Sequence, residues 1–457
     1  MVSAAGKAQY WSEQVFAPAM HEQRPRLERC MDRVSGARPT PRDDVAAAVS
    51  VGIACRGALG TNETLRVSAA TGDSRAMASV VGATSTTATR RQLVFAGPRR
   101  VEIVRDTTIE RRLEPNEVRV RSLCSGVSAG TELLLYRGQI VPDEALDATI
   151  PAYKETAGVD DEKSVYPTPY GYCLCGQVVE VGASLPVERW LGKLVFLLAS
   201  HAEEHIVRDD EVFIFLDDWK EPVRELVLSC PQLVSVVETV VCWLQDAAPV
   251  VGDRLAVVGA GLYGSVMALV GVRLFPSSTW LIVESLASRR EQLEGALRET
   301  IGPSVRWHVV DADEVPMRVR LEPRFDIVLE ASGSISGLDT ALQLVRPSGR
   351  VVVGSWYGRK ATGQPLGALG STRVHRSHAQ ILFSQVSEIP PWLAGRYDKR
   401  RRMGIVRDIL SDFWEPLALF CRNVRSFPFE EAGIVYAQLD RGALQAPVRF
   451  LYPDDHA

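Results

Sequence analysis

The hydrophobic pattern changes character twice along the chain. Residues 1–90 are rich in Ala, Arg, Ser and Thr and keep neither a helical nor a strand period. A stretch such as Ala83-Thr84-Ser85-Thr86-Thr87-Ala88-Thr89-Arg90 buries too little apolar surface to offset the entropy of ordering it. Across 91–233, short apolar or alternating runs (92–95, 101–104, 117–123, 176–182 and 194–198) follow one another between turn residues. That spacing predicts a β-rich domain. Across 234–385 the rhythm becomes strand, helix, strand. Strands are predicted at 254–258, 279–283, 325–330 and 350–354, and helices at 262–274, 288–300 and 336–344. Such alternation predicts an α/β fold with a doubly wound parallel sheet. Residues 386–457 return to mixed helix and strand and end on a strand at 448–452, entered through Pro447.

A chain of 457 residues exceeds one hydrophobic core, in keeping with two folded domains and an extension. The formal net charge of −4 gives no reason to expect nucleic acid or an anionic membrane as partner. No apolar stretch reaches the roughly 18–20 residues that span a bilayer, and the Ala/Val-rich run from Val45 to Cys55 lies too far along the chain for a secretory signal. The 8 cysteines include no CxxC pair, which argues against a disulfide scaffold and a zinc ribbon. Free thiols suit a reducing, cytoplasmic setting. Residues 1–90 stay open between a disordered extension, an organelle transit peptide and an upstream artefact with translation starting at Met77. The transit reading rests on 50–91, which holds only Glu63 and Asp73 as acids.

Gly259-Ala260-Gly261-Leu262-Tyr263-Gly264 is a weak signal alone, but it directly follows a predicted strand and opens a predicted helix. In that setting Gly259 allows the tight turn, Gly261 the approach of a pyrophosphate, and Gly264 close packing of helix on strand. The helix N-terminus favours the anion. Glu284, at the end of the next strand, is placed to accept hydrogen bonds from an adenosine ribose, which favours NAD. Ser285 and Arg289 stand just beyond it and suit a 2′-phosphate, so NADP stays open.

From here the sequence resembles the medium-chain dehydrogenase/reductase superfamily over roughly residues 91–454. The carriers are Ser125-Gly126-Val127-Ser128-Ala129-Gly130-Thr131-Glu132, Tyr170-Gly171-Tyr172 running into Gly176–Gly182, the glycine motif, Asp326–Gly333, Gly349–Gly354 and Phe427–Ala432. The resemblance implies a GroES-like β-rich catalytic domain (91–233), a Rossmann domain (234–385) and a C-terminal return to the catalytic domain (386–457). It implies hydride transfer with a nicotinamide on a carbonyl, alcohol or enone. Ser332, Gly333, Gly354 and Ser355 would line the nicotinamide. A small-molecule substrate and a homodimer are the expected partners.

The departures from zinc alcohol dehydrogenases redirect the mechanism. Ser128 stands where that family has a cysteine ligand, Tyr172 where it has a histidine, and the third ligand falls near Val234. Catalytic zinc needs three protein ligands, so no zinc is expected. Serine and tyrosine in these places resemble the subgroup that includes hydroxyethyl bacteriochlorophyllide dehydrogenase. Tyr172 then becomes the candidate proton donor, with Ser128 and Thr131 orienting substrate and Glu132 polarising one of them. A core tyrosine and a structural glutamate are the bland readings of Tyr172 and Glu132. A nicotinamide-binding sensor without chemistry is the alternative function.

Other signals compete less well. His201-Ala202-Glu203-Glu204-His205 matches a zinc-protease motif but lies between predicted strands, whereas that chemistry needs a helix. Cys173 and Cys175 share one face of a strand and read as buried small side chains. Arg373, His375, Arg376 and His378 read as a basic loop, either solvated or anion-binding. Lys399-Arg400-Arg401-Arg402 reads as an exposed helix start.

Overall fold

The computed structural model describes residues 90–140, 166–321, 324–445 and 447–453. The expectations for residues 1–89 lie outside the described residues. Strands β1 (Arg91–Gly97) and β2 (Arg100–Arg105) form an antiparallel hairpin, and β4 (Thr168–Pro169) pairs with the other edge of β1. Between them runs β3 (Glu117–Val127), the long strand of the larger antiparallel sheet. It is followed by β5 (Leu174–Val181), β6 (Leu194–Leu197), β7 (Glu204–Arg208) and β8 (Ile214–Phe215). Two register shifts in β3, at Arg119/Val120 and Ser122/Cys124, bend it so that both β5 and β7 can pair with it.

The second half is the predicted parallel sheet: β9 (Arg254–Val258), β10 (Thr279–Val283), β11 (Arg306–Val310), β12 (Phe325–Glu330), β13 (Val345–Val353) and β14 (Gln380–Phe383). Its order is β11-β10-β9-β12-β13-β14, so β9 and β12 sit side by side where the winding reverses. The crevice outside the carboxyl ends of such a pair is where open α/β sheets bind ligands. The central strands are buried on both faces, which is why they read as unbroken apolar runs. Strands β11 and β14 were not expected. Both are edges that alternate or stay exposed, and four or five such residues carry little periodic signal. Strand β13 begins at Val345, not at Arg350.

Helix α1 (Ala129–Tyr136) leaves β3 almost without a break. Helix α2 (Gln232–Ala247) is buried almost throughout because neighbours cover it on every side, and its polar residues Ser235, Glu238 and Thr239 share one stripe. It contacts β3 of one sheet, and β12 and β13 of the other. Helix α3 (Leu262–Leu274) follows the glycine motif and packs along α2. Helix α4 (Lys399–Asp412) also lies along α2. It corrects one expectation: Arg402 is fully buried, and Lys399 turns inward to Glu238 at 2.5 Å. The Arg402 guanidinium lies 3.8 Å from the same Glu238 carboxylate and donates to the Val386 and Glu388 carbonyls at 2.7 and 2.8 Å. The chain rejoins the antiparallel sheet through β15 (Arg425–Pro428), α5 (Ala432–Asp440) and β16 (Val448–Leu451), the last pairing with β3.

Candidate functional site

Strand β3 delivers Ser128 to a corner between strand and helix. The Gly126 N–H donates to the Cys173 carbonyl at 2.7 Å, which brings the segment before β5 alongside that corner. The Tyr172 phenol therefore meets the Ser128 hydroxyl and donates to the Thr131 hydroxyl at 3.3 Å. Helix α2 closes the third side, with the Ser235 hydroxyl donating to the Tyr172 carbonyl at 3.3 Å. Tyr263 of the glycine motif brings its own phenol beside Tyr172 and Ser128. Four hydroxyl-bearing side chains thus meet at one point.

Glu132 fixes the corner from behind. It is fully buried, and its Oε1 accepts the Ser128 backbone N–H at 2.8 Å. Its Oε2 accepts from the Tyr436 phenol and lies 3.2 Å from His201 Nε2. His201 Nδ1 is 2.7 Å from the Ser125 hydroxyl, which is 2.7 Å from the Tyr452 phenol. One assignment satisfies every group: Tyr452 donates to Ser125, Ser125 to His201 Nδ1, and His201 Nε2–H to an ionised Glu132. The bonds of Glu132 thus go to the Ser128 backbone and away from the Ser128 and Thr131 hydroxyls. The H-x-x-E-H stretch is a bend running into β7, with its first histidine spent on Glu132 and Ser125.

Burial pushes the Tyr172 phenol well above its ordinary value, aided by Tyr263 and the Cys173 thiol. The Ser128 and Thr131 hydrogen bonds oppose the shift. Burial likewise pushes Tyr263 up to about 12. Both phenols stay protonated at neutral pH and act as donors.

A cavity of about 690 Å³ runs from the Thr131, Tyr172 and Tyr263 hydroxyls to the carboxyl ends of the parallel strands. Ser128, expected to orient substrate, is buried behind Tyr172 and does not line it. Thr131, Tyr172 and Tyr263 line it, as do Ser332, Gly333, Gly354 and Ser355. Behind the Ser332 turn, buried Glu330 accepts the Ser332 N–H at 2.8 Å and the Tyr357 phenol at 2.5 Å. The Gly333 N–H donates to the Ser355 hydroxyl at 2.9 Å and joins the ends of β12 and β13. Gly259 has φ of +94°. A Cβ on Gly264 would stand 1.8 Å from the Gly259 carbonyl. The turn therefore needs glycine at both places. Gly261 caps α3, with Leu262 half-buried behind it.

Glu284 is placed differently from the expectation. It is 5% exposed, and its carboxylate turns in to accept the Ala260 and Leu286 N–H groups at 2.7 and 2.9 Å. It ties the glycine turn to β10, and Arg289, 3.7 Å from it, is the more exposed group of the pair. Arg373 caps the end of the preceding helix by donating to the Leu342 and Val345 carbonyls. Cys173 and Cys175 are both buried, as read from their spacing. No group of three or more His, Cys, Asp or Glu side chains is placed to hold a metal among the described residues. Sequence reasoning missed Ser235, Trp243 and Lys360, all of which line the cavity. Ser235 stands at i, i+3, i+4 spacing with Glu238 and Thr239 in an otherwise apolar helix, a signal that could have found it, whereas nothing local marks Trp243 or Lys360.

No family model matches the chain. Several solved structures are similar to it. One is L-idonate 5-dehydrogenase from Escherichia coli, at 12% identity and TM-score 0.57, covering 79% of this chain and 98% of that one. A second is acetophenone reductase from Geotrichum candidum in complex with NAD, at 15% identity and TM-score 0.54, covering 79% and 97%. A third is a putative zinc-binding dehydrogenase from Sinorhizobium meliloti bound to NADP, at 15% identity and TM-score 0.53, covering 80% and 99%. At these identities the likeness establishes the fold: a β-rich domain joined to a Rossmann-like parallel sheet.

Proposed function

We propose that the chain is an NAD(P)-dependent oxidoreductase that interconverts the carbonyl and alcohol of a small molecule, or reduces an enone, with Tyr172 as proton donor and no catalytic metal. The observation that carries this reading is a single cavity shared by the clustered hydroxyls and the ends of β12 and β13. The NAD and NADP bound by similar structures support a nicotinamide cofactor. A dinucleotide suits the residues present. The left-handed Gly259 and bare Gly264 let the turn close on the backbone, Gly261 has open space where a Cβ would meet only Arg289 at 4.0 Å, and the start of α3 offers N–H groups to a pyrophosphate. When bound, the nicotinamide gives or takes a hydride.

The chain's own residues handle the proton. An alkoxide is a strong base, and burial keeps the Tyr172 hydroxyl protonated until that base forms beside it and takes its proton. Ser128 and Thr131 hold that phenol at the cavity wall, and Tyr263 shares the developing charge through the hydrogen-bonded cluster. Glu132 is a positioning residue that acts through the Ser128 backbone. Catalytic zinc is held by thiolate, imidazole and carboxylate, whereas Ser128, Tyr172 and Ser235 supply hydroxyls. That donor set does not fit the metal. Because Glu284 turns inward, Arg289 and Ser285 are left to meet the adenosine end, and both NAD and NADP stay within the reading.

Fluorescence titration with NADH and NADPH, a screen of aldehydes, ketones and enones, and metal analysis of the purified chain test this together. Saturable binding and turnover without stoichiometric zinc are expected. Binding with no turnover on any class would favour the sensor reading.

A further inference from the structure

Two ammonium groups line the cavity, and only one of them has a carboxylate. Lys399 pairs with buried Glu238 at 2.5 Å. Lys360, on a short 3-10 turn at Gly358–Ala361, is half-buried. Among the described residues its hydrogen-bond partner is the Gly333 carbonyl, which accepts at 3.2 Å. Among the described residues no carboxylate comes within 4.0 Å of its Nζ. Glu330 attracts it from farther off, but that carboxylate is already held by Ser332 and Tyr357. An ammonium has three donors and no acceptor. Holding one half out of water with a single neutral partner is costly unless something else pairs with it. Burial, together with the nearby Arg137, disfavours its charge, and an anion entering the cavity would reverse that balance.

We propose that Lys360 is the cationic anchor of an anion subsite in the cavity, taking a carboxylate or phosphate oxygen of a molecule bound there. Two sources carry that chemistry: an acidic group on the substrate and a phosphate of the dinucleotide. The aromatic walls Trp243, Trp356 and Phe383 suit an apolar body attached to the anion. The substrate arm rests on the reductase reading, while the subsite itself does not.

The test compares terephthalaldehydic acid, an aldehyde with a para carboxylate, with its methyl ester on wild type, Lys360→Met and Lys360→Arg. Because Trp243 and Trp356 line the cavity, tryptophan fluorescence reads binding of both compounds whether or not they turn over. A charge-assisted hydrogen bond predicts an acid-over-ester preference of roughly 10- to 100-fold in wild type. It should fall towards one in Lys360→Met and be kept in Lys360→Arg. A preference seen in binding without turnover would support the subsite and count against the reductase. If the ratio stays put but Lys360→Met loses about tenfold in NADH affinity, with phosphate-free reduced nicotinamide riboside binding as before, the anion is the cofactor's. If neither ratio nor NADH affinity moves, the subsite is overturned.

Discussion

Replacing Tyr172 by Phe removes one oxygen and little else. The ring keeps its place against Tyr170, with centroids 5.8 Å apart. What goes is the hydrogen bonding to the Ser128 and Thr131 hydroxyls. Two neutral bonds contribute about 0.5–1.5 kcal/mol each; the Thr131 hydroxyl left behind faces the cavity, while the Ser128 hydroxyl is buried. The folding cost should therefore be about 1–2 kcal/mol, read by denaturant unfolding. The catalytic cost should be far larger. A positioned proton donor is worth about 10²–10⁴-fold, or roughly 3–5 kcal/mol of barrier. The assay is steady-state oxidation of reduced cofactor on whichever carbonyl class proves active, paired with NADH titration of the same variant. A fall in kcat within that range, with NADH affinity within about twofold, is the expected result. Turnover equal to wild type would refute the role of the phenol. Parallel loss of turnover and cofactor affinity would show that Tyr172 shapes the cavity instead.

Glu132→Ala strips the acceptor from three buried donors, the Ser128 N–H, His201 and the Tyr436 phenol, and should cost about 3–5 kcal/mol of stability in denaturant unfolding. Gly264→Ala drives a Cβ into the Gly259 carbonyl and should weaken NADH binding at least about tenfold by fluorescence titration, since the turn must open. Arg289→Ala should weaken NADPH at least about tenfold while leaving NADH within twofold; equal losses would count against a 2′-phosphate role. His205 has an Nε2 shut off from solvent and without a partner, and burial holds its protonation down to about 4. The unfolded chain takes up that proton near pH 6.5. Stability should therefore be intact above about 6.5 and fall as pH drops towards 4, by about 3 kcal/mol. His205→Gln should flatten that slope in unfolding curves taken across the window.

The parts that could be read in advance are those whose environment is local. The strand Arg254–Val258, its glycine turn and the helix Leu262–Leu274 appear where their pattern put them, because one continuous segment decides all three. Ser128, Thr131 and Tyr172 do come together, since strand pairing between β3 and β5 fixes their meeting. Where distant contacts decide, the pattern fails. Helix Gln232–Ala247 is buried almost throughout, and its polar stripe of Ser235, Glu238 and Thr239 is periodic, but only the assembled fold shows that this stripe and Trp243 face a cavity and not solvent. Lys399 and Arg402 looked like solvent-facing charge, yet a buried glutamate and two carbonyls await them. Glu284 had the right position for a ribose ligand, but only the packed turn shows its oxygens already engaged by backbone.

The buried polar chain behind Ser128 has an implication for how the molecule is built. Two of its members, Tyr436 and Tyr452, come from the segment that returns to the first sheet, and Val448 of β16 pairs with Val127 beside Ser128. During synthesis the corner carrying Ser128 and Thr131 emerges early, but Glu132 waits for its phenol donor until some 300 further residues have been made. Until then a carboxylate destined for the interior has only part of its hydrogen bonding, and the corner has no reason to hold its final shape. The parallel sheet, whose strands all lie between Arg254 and Phe383, has no such dependence. A nascent chain stopped short of Tyr436 would thus have a glycine turn with its Glu284 contacts made and a Ser128 corner still lacking one of the donors that hold it.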